Sequence, residues 1–194
     1  MENAMTGHSR SRRRARTPGA PKLPSRLHHT AYTTTDMEKT RKFYEEVIGL
    51  PLVATWSEAD ELFGKMRTYC HCFFGLGDGG ALAFFQFADK SDERKFRPPI
   101  AETPFHHVAL KVDKATQEAI EKRIGAAGYK DPDTYVLEHG YCRSVYIKDP
   151  NGMLLEFTLD APNAGKIAKA RQTDAQATLK RWLRGDHTSN NMYR

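Results

Sequence analysis

Two stretches of this chain carry the same order of apolar and polar positions. Residues 27–34 alternate like a strand, and Asp36 then stands where a helix N-cap belongs. Across 37–48, Phe43, Tyr44, Val47 and Ile48 form one helical stripe, and Gly49 supplies a C-terminal stop. Strand-like segments follow near 51–56, 67–76 and 82–88, with the turn Gly77-Asp78-Gly79-Gly80 between the last two. The second stretch opens with a strand over 105–112. A helix follows at about 114–127, with Ala119, Ile120 and Ile124 apolar and Gly128 at its end. Strands are then expected near 134–138, 143–148 and 153–159, the last two joined by Asp149-Pro150-Asn151-Gly152. Each stretch therefore reads β-α-β-β-β. The expected plan is module 1 over 27–88, a polar Pro-containing linker over 89–104, and module 2 over 105–160. An Ala-, Lys- and Gln-rich helical extension occupies 161–194, where Leu179, Trp182 and Leu183 would dock on the body or on a partner.

The repetition extends to individual residues. Leu27-His28-His29-Thr30-Ala31 is echoed by Phe105-His106-His107-Val108-Ala109, from position 27 to position 105, a spacing of 78 residues. Each module closes on a short apolar strand with one polar residue: Gln86 in Leu82-Ala83-Phe84-Phe85-Gln86-Phe87, and Glu156 in Met153-Leu154-Leu155-Glu156-Phe157. Strand parity sorts these positions. Val108, Leu110 and Val112 take the face a helix would cover, leaving His107, Ala109 and Lys111 for a cavity. His29, Ala31 and Thr33 take the same cavity parity. Phe85 and Phe87 are expected on the helix side with Leu155, Phe157 and Leu159, so that Gln86 and Glu156 face the cavity with Phe84 and Leu154. His28 and His106 fall on the opposite faces. One parity rule thus selects His29, Gln86, His107 and Glu156, and two imidazoles with one carboxylate on a concave surface suit a divalent metal. Gln86 is neutral and would serve as a weak fourth ligand or would hydrogen-bond a metal-bound water.

Charge narrows the choice of partners. Residues 1–26 hold seven Arg/Lys and one Glu, and 161–194 hold seven Arg/Lys and two Asp. Taking +6 and +5 at the two ends from the total of +6 leaves −5 for 27–160. A folded body of that sign excludes specific nucleic-acid binding through the fold. The Arg-rich segment 1–26 reads as a disordered basic tail. No apolar run is long enough to span a bilayer, and no apolar stretch follows the basic cluster as in a secretory signal. Cys70, Cys72 and Cys142 then read as reduced thiols in a cytoplasmic protein.

These features resemble the vicinal oxygen chelate superfamily, which includes glyoxalase I, type I extradiol dioxygenases, and fosfomycin- and bleomycin-resistance proteins. The matching residues are His29-Thr30-Ala31, Asp36, Phe43-Tyr44 and Val47-Ile48-Gly49-Leu50 in module 1. In module 2 they are His107-Val108-Ala109-Leu110 and the run from Arg143 through Asp149-Pro150-Asn151-Gly152 to Glu156-Phe157. The resemblance implies an α+β fold of two paired βαβββ modules, a half-open, mostly antiparallel, barrel-like sheet around a metal site. It implies ligand roles for His29, His107 and Glu156, and an active-site hydroxyl at Tyr146, ten residues before Glu156. His139 is a further acid/base candidate, and Phe84, Phe73 and Tyr141 would line an aromatic substrate pocket.

The expected chemistry is extradiol-type ring cleavage, with Fe(II) bound by two His and one Glu taking a catechol-like substrate and O2 together. Mn, Ni and Zn are the alternative metals. Glyoxalase-type isomerisation or lyase chemistry is the alternative reaction, weakened because Gln86 cannot act as a carboxylate base. A metal-free binding or resistance protein is the third reading, and the intact His29/His107/Glu156 set speaks against it. A homodimer is expected.

Overall fold

The computed structural model describes residues 23–97, 99–100 and 103–193. Most of the basic segment 1–26 lies outside the described residues. Module 1 runs β1 (His29–Thr33), α1 (Met37–Lys42), β2 (Leu52–Leu62), β3 (Lys65–Gly75) and β4 (Ala81–Phe87). Asp36 caps α1 by accepting from the Lys39 amide at 2.9 Å. The helix then widens into a π-helical turn over Phe43–Ile48 and stops at Gly49, whose φ of 91° needs a residue without a Cβ. Module 2 repeats the order with β5 (His107–Lys111), α3 (Lys114–Ala126), β6 (Thr134–Glu138), β7 (Cys142–Lys148) and β8 (Leu154–Asp160). The 89–104 stretch contains a short helix, α2 (Lys90–Phe96), capped by Asp89 and seated on β4 through Phe96 against Phe87. A 20-residue helix, α4 (Ala164–Leu183), follows β8 and buries only Ile167. No described helix is long and apolar enough to cross a membrane.

Each module forms its own four-stranded sheet, in the orders β1-β4-β3-β2 and β5-β8-β7-β6. Only the β1/β4 and β5/β8 pairs are parallel. One hydrophobic core serves both modules. It joins Phe43, Tyr44 and Ile48 of the first helical segment to Ile120 and Ile124 of α3, and both to Phe74, Leu82 and Phe84 of one sheet and Val145, Leu155 and Phe157 of the other. The Arg123 Nε donates to the Val47 carbonyl at 3.0 Å, placing a cation at the carbonyl end of the π-helical turn. The two modules are therefore welded through their helix-covered faces.

Candidate functional site

On the sheet of module 2, the faces fall where alternation places them: Val108 and Leu110 pack on the core, and His107 and Ala109 are exposed. His107 Nδ1 lies 2.9 Å from the Pro104 carbonyl. A nitrogen in that position donates to the carbonyl and so fixes the ring with Nε2 turned toward Glu156. Nε2 sits 2.9 Å from Glu156 Oε2. The other carboxylate oxygen accepts from the Thr158 hydroxyl at 3.0 Å. Burial pushes the Glu156 carboxyl upward, but hydrogen bonds from Ser144, Thr158 and Tyr146 and the charge of His107 outweigh it and lower its pKa. Tyr146, directly opposite Glu156 in the β7/β8 ladder, is 5% exposed and stacks on Tyr135 with ring centroids 4.9 Å apart. Burial, then its bond to Glu156, raises the Tyr146 phenol pKa, so the phenol keeps its proton. His139 Nε2 stands 3.2 Å from the Tyr146 hydroxyl, and its ring stacks on Tyr141. The fold thus gathers His107, Glu156, Tyr146, His139 and Tyr141 into one patch.

The sheet of module 1 differs from expectation at its closing strand. Phe84 is fully buried in the core against Tyr44, Phe74 and Tyr32, so it lines no substrate pocket. Gln86 shares its parity and faces α1, where Oε1 accepts from the Met37 amide at 2.8 Å. That amide is one of the donors a helix N-terminus leaves unpaired, and satisfying it is the role Gln86 plays. Phe85 lies on the opposite, open face and stacks on His71 at 3.6 Å. The reason lies in the register. Ala31 pairs with Ala83 in module 1, whereas Ala109 pairs with Glu156 in module 2. Ala83, not Gln86, therefore occupies the place of Glu156. The strand Ala81–Phe87 opens with five apolar residues, and such a run shows no alternation from which to read its faces.

The open face of module 1 carries His29, Ala31, His71, Phe73 and Phe85. The His29 ring reaches across the alanines of β4 to Phe73 at 5.6 Å and to His71 at 6.5 Å. His29 Nδ1 also lies 2.8 Å from His28 Nδ1. A cleft of about 620 Å³ opens beside this face, lined by Ala31, Thr33, Phe85, Phe96 and Arg97 among others. His71 is absent from the sequence expectations, although it has the parity of Phe73, two residues on. Tyr69, His71 and Phe73 alternate with the core-facing Cys70, Cys72 and Phe74, and that alternation was its only signal. His29 does not join His107 and Glu156. Among the described residues no three His, Cys, Asp or Glu side chains gather as a metal-holding group.

Two four-stranded βαβββ units, each with a histidine on its first strand, define a duplicated module whose open faces carry the polar chemistry. The chain belongs to the Glyoxalase/Bleomycin resistance protein/Dioxygenase superfamily, whose profile matches residues 26–157. It is 29% identical to a probable lactoylglutathione lyase from Vibrio parahaemolyticus, over 68% of this chain and 88% of that one. It is 29% identical to a 2-epi-5-epi-valiolone epimerase from Actinomyces sp, over 67% of this chain and 76% of that one. A crystal structure of a glyoxylase/bleomycin resistance protein/dioxygenase domain from Frankia sp. superposes with a TM-score of 0.53 at 16% identity, covering 73% of this chain and 95% of that one. At that identity the likeness concerns the fold alone.

Proposed function

We propose that this protein is a metal-dependent lyase or isomerase acting on a small substrate with two adjacent oxygen atoms. In this reading it works as a homodimer, each site joining the open face of module 1 from one copy to the open face of module 2 from the other. The observation that carries it is the His107–Glu156 pair. Its facing nitrogen and oxygen are 2.9 Å apart, with Nδ1 tied to Pro104 and the second carboxylate oxygen tied to Thr158. An imidazole nitrogen and a carboxylate oxygen held this way fit a divalent cation. His29, His107 and Glu156 would hold the metal, which when bound polarises the substrate oxygens as a Lewis acid.

The remaining roles belong to the protein's own groups. Glu156 is held ionised, the form in which a carboxylate binds a metal. Tyr146 keeps its proton and is placed to donate a hydrogen bond to a substrate oxygen. His139, hydrogen-bonded to that hydroxyl, is the imidazole placed to take up and return a proton. Phe73 and Phe85 give the opposite wall an apolar, aromatic surface. The lyase and epimerase relatives support proton transfer over oxygenation. Ring-cleaving oxygenation with Fe(II), O2 and a catechol-like aromatic stands second. It is favoured by one observation: Ala83 at the fourth position leaves a two-His, one-carboxylate set. The test is turnover of hydroxycarbonyl compounds and thiol adducts of 2-oxoaldehydes under anaerobic conditions, with Mn, Ni or Zn bound. Turnover without oxygen is expected. Stoichiometric oxygen uptake with Fe(II) and a catechol, with no anaerobic turnover, overturns the choice. His107→Ala is expected to abolish metal binding and His106→Ala to leave it intact.

A further inference from the structure

The twofold repeat lets each open face be compared position by position. In the β7/β8 ladder Ser144 pairs with Thr158 and Tyr146 with Glu156. In β3/β4, His71 pairs with Phe85 and Phe73 with Ala83. His71 therefore stands where Ser144 stands, and Ala83 where Glu156 stands. In module 2 the residue at the first position reaches the second, because Ser144 hydrogen-bonds the Glu156 carboxylate. In module 1 both positions differ. A methyl group stands in place of the carboxylate, and an imidazole, whose Nε2 reaches several ångströms further from the backbone, in place of the short hydroxyl.

The imidazole carries an unexplained atom. His71 Nε2 is buried and has no hydrogen-bond partner among the described residues. Its ring is stacked on Phe85 at 3.6 Å and lies 4.2 Å from Phe73. Packing alone does not account for a histidine here, since phenylalanine would stack as well without leaving a nitrogen unsatisfied. The His29 and His71 centroids are 6.5 Å apart. With metal–nitrogen bonds of about 2.1 Å, two imidazoles on one ion have centroids roughly 4.5–6.5 Å apart, so a small side-chain adjustment would bring both to one point.

We propose that His71 supplies the fourth protein ligand of the metal site, taking over from one strand away the place that Ala83 leaves vacant. The inference rests on the metal-site reading above. It makes the donor set three imidazoles and one carboxylate, two donors from each module. A fourth protein donor would leave the metal less open than three do, which favours the paired oxygens of one substrate over substrate and O2 together.

The test counts imidazoles directly. Wild-type protein with ¹⁵N-labelled histidine is loaded with Mn(II), and its coordinated nitrogens are counted by pulsed EPR. Metal affinity of wild type, His71→Gln and His107→Ala is measured in parallel by competition with a fluorescent chelator. Three coordinated imidazoles and an affinity loss of more than about 10-fold in His71→Gln are expected, since even residues outside the ligand shell cost about 10–100-fold. Two imidazoles with unchanged affinity in His71→Gln overturn the fourth ligand and leave the three-ligand site standing. A wild-type protein that binds no Mn(II), Ni(II), Zn(II) or Fe(II) overturns the underlying site as well. Because the imidazole count uses the wild-type chain, it decides the matter even if His71→Gln misfolds.

Discussion

Replacing Phe84 with alanine tests the assignment of faces on β4, on which the position of the site depends. The ring is fully buried and touches Tyr44 at 4.9 Å, Tyr32 at 5.9 Å and Phe74 at 6.0 Å between centroids. Losing roughly 150 Å² of buried aromatic surface at about 25 cal/mol/Å² costs ~4 kcal/mol. That lies inside the ~3–5 kcal/mol range for Phe→Ala in well-packed cores. Against a typical total of about 5–15 kcal/mol, a loss of this size removes a quarter or more of the stability. Phe85→Ala removes the same atoms from the half-buried open face and is expected to cost less than half as much. Urea unfolding followed by circular dichroism, at one fixed protomer concentration, measures both. A Phe84→Ala cost below ~1.5 kcal/mol, with Phe85→Ala the more damaging, would refute the assignment and return Phe84 to the substrate wall.

Gln86→Ala should cost about 0.5–1.5 kcal/mol through the lost bond to the Met37 amide and leave metal affinity unchanged, as titration calorimetry would show. His29→Ala and His107→Ala should each be inactive alone. Unfolded together and refolded, they should regain roughly a quarter of wild-type activity, because half the dimers are mixed and each mixed dimer has one intact site; no recovery would place both ligands in one chain. Tyr146→Phe and His139→Gln should each lower kcat by about 10²–10⁴ with near-normal metal content, measured by steady-state kinetics beside elemental analysis. Burial raises the Asp149 carboxyl pKa despite its bonds from Tyr44, Asn151 and Met153. A raised carboxyl stabilises the fold below its ordinary value of 3.8 and loses that contribution as pH climbs through the folded value. Asp149→Asn should therefore gain stability relative to wild type as pH rises from 4 to 7, read from urea midpoints.

How much was legible depended on the local pattern of each strand. β5 was readable because Val108 and Leu110 alternate with His107, Ala109 and Lys111, and only one parity buries the branched residues. The helices of the two modules were readable from Asp36, Gly49 and Gly128, although the π-helical widening over Phe43–Ile48 leaves no mark in composition. β4 was not readable, because Ala81 through Phe85 are apolar on both faces, and the one polar residue, Gln86, was taken as the counterpart of Glu156. In fact its amide serves a helix N-terminus. His71 lay in a strand with no motif around it. Its meaning comes from register and from an unpartnered nitrogen, and a linear sequence states neither.

The separation of His29 and His71 from His107 and Glu156 follows from how the duplicated fold uses its surfaces. Each βαβββ unit has one face that its helix covers and one that it does not. Here both covered faces merge into a single core through Phe43, Tyr44, Ile120 and Ile124, so neither unit can turn its open face toward the other without breaking that core. Module 2 alone brings together only His107 and Glu156, and two protein donors fall short of the three that catalytic metal sites ordinarily use. Module 1 holds His29 and His71, and among the described residues no third His, Cys, Asp or Glu gathers with them to complete a site. Each half therefore lacks what the other half has. In the proposed dimer, a twofold pairing of identical chains would supply it twice at once, because the open face of module 1 and the open face of module 2 are both present on every copy.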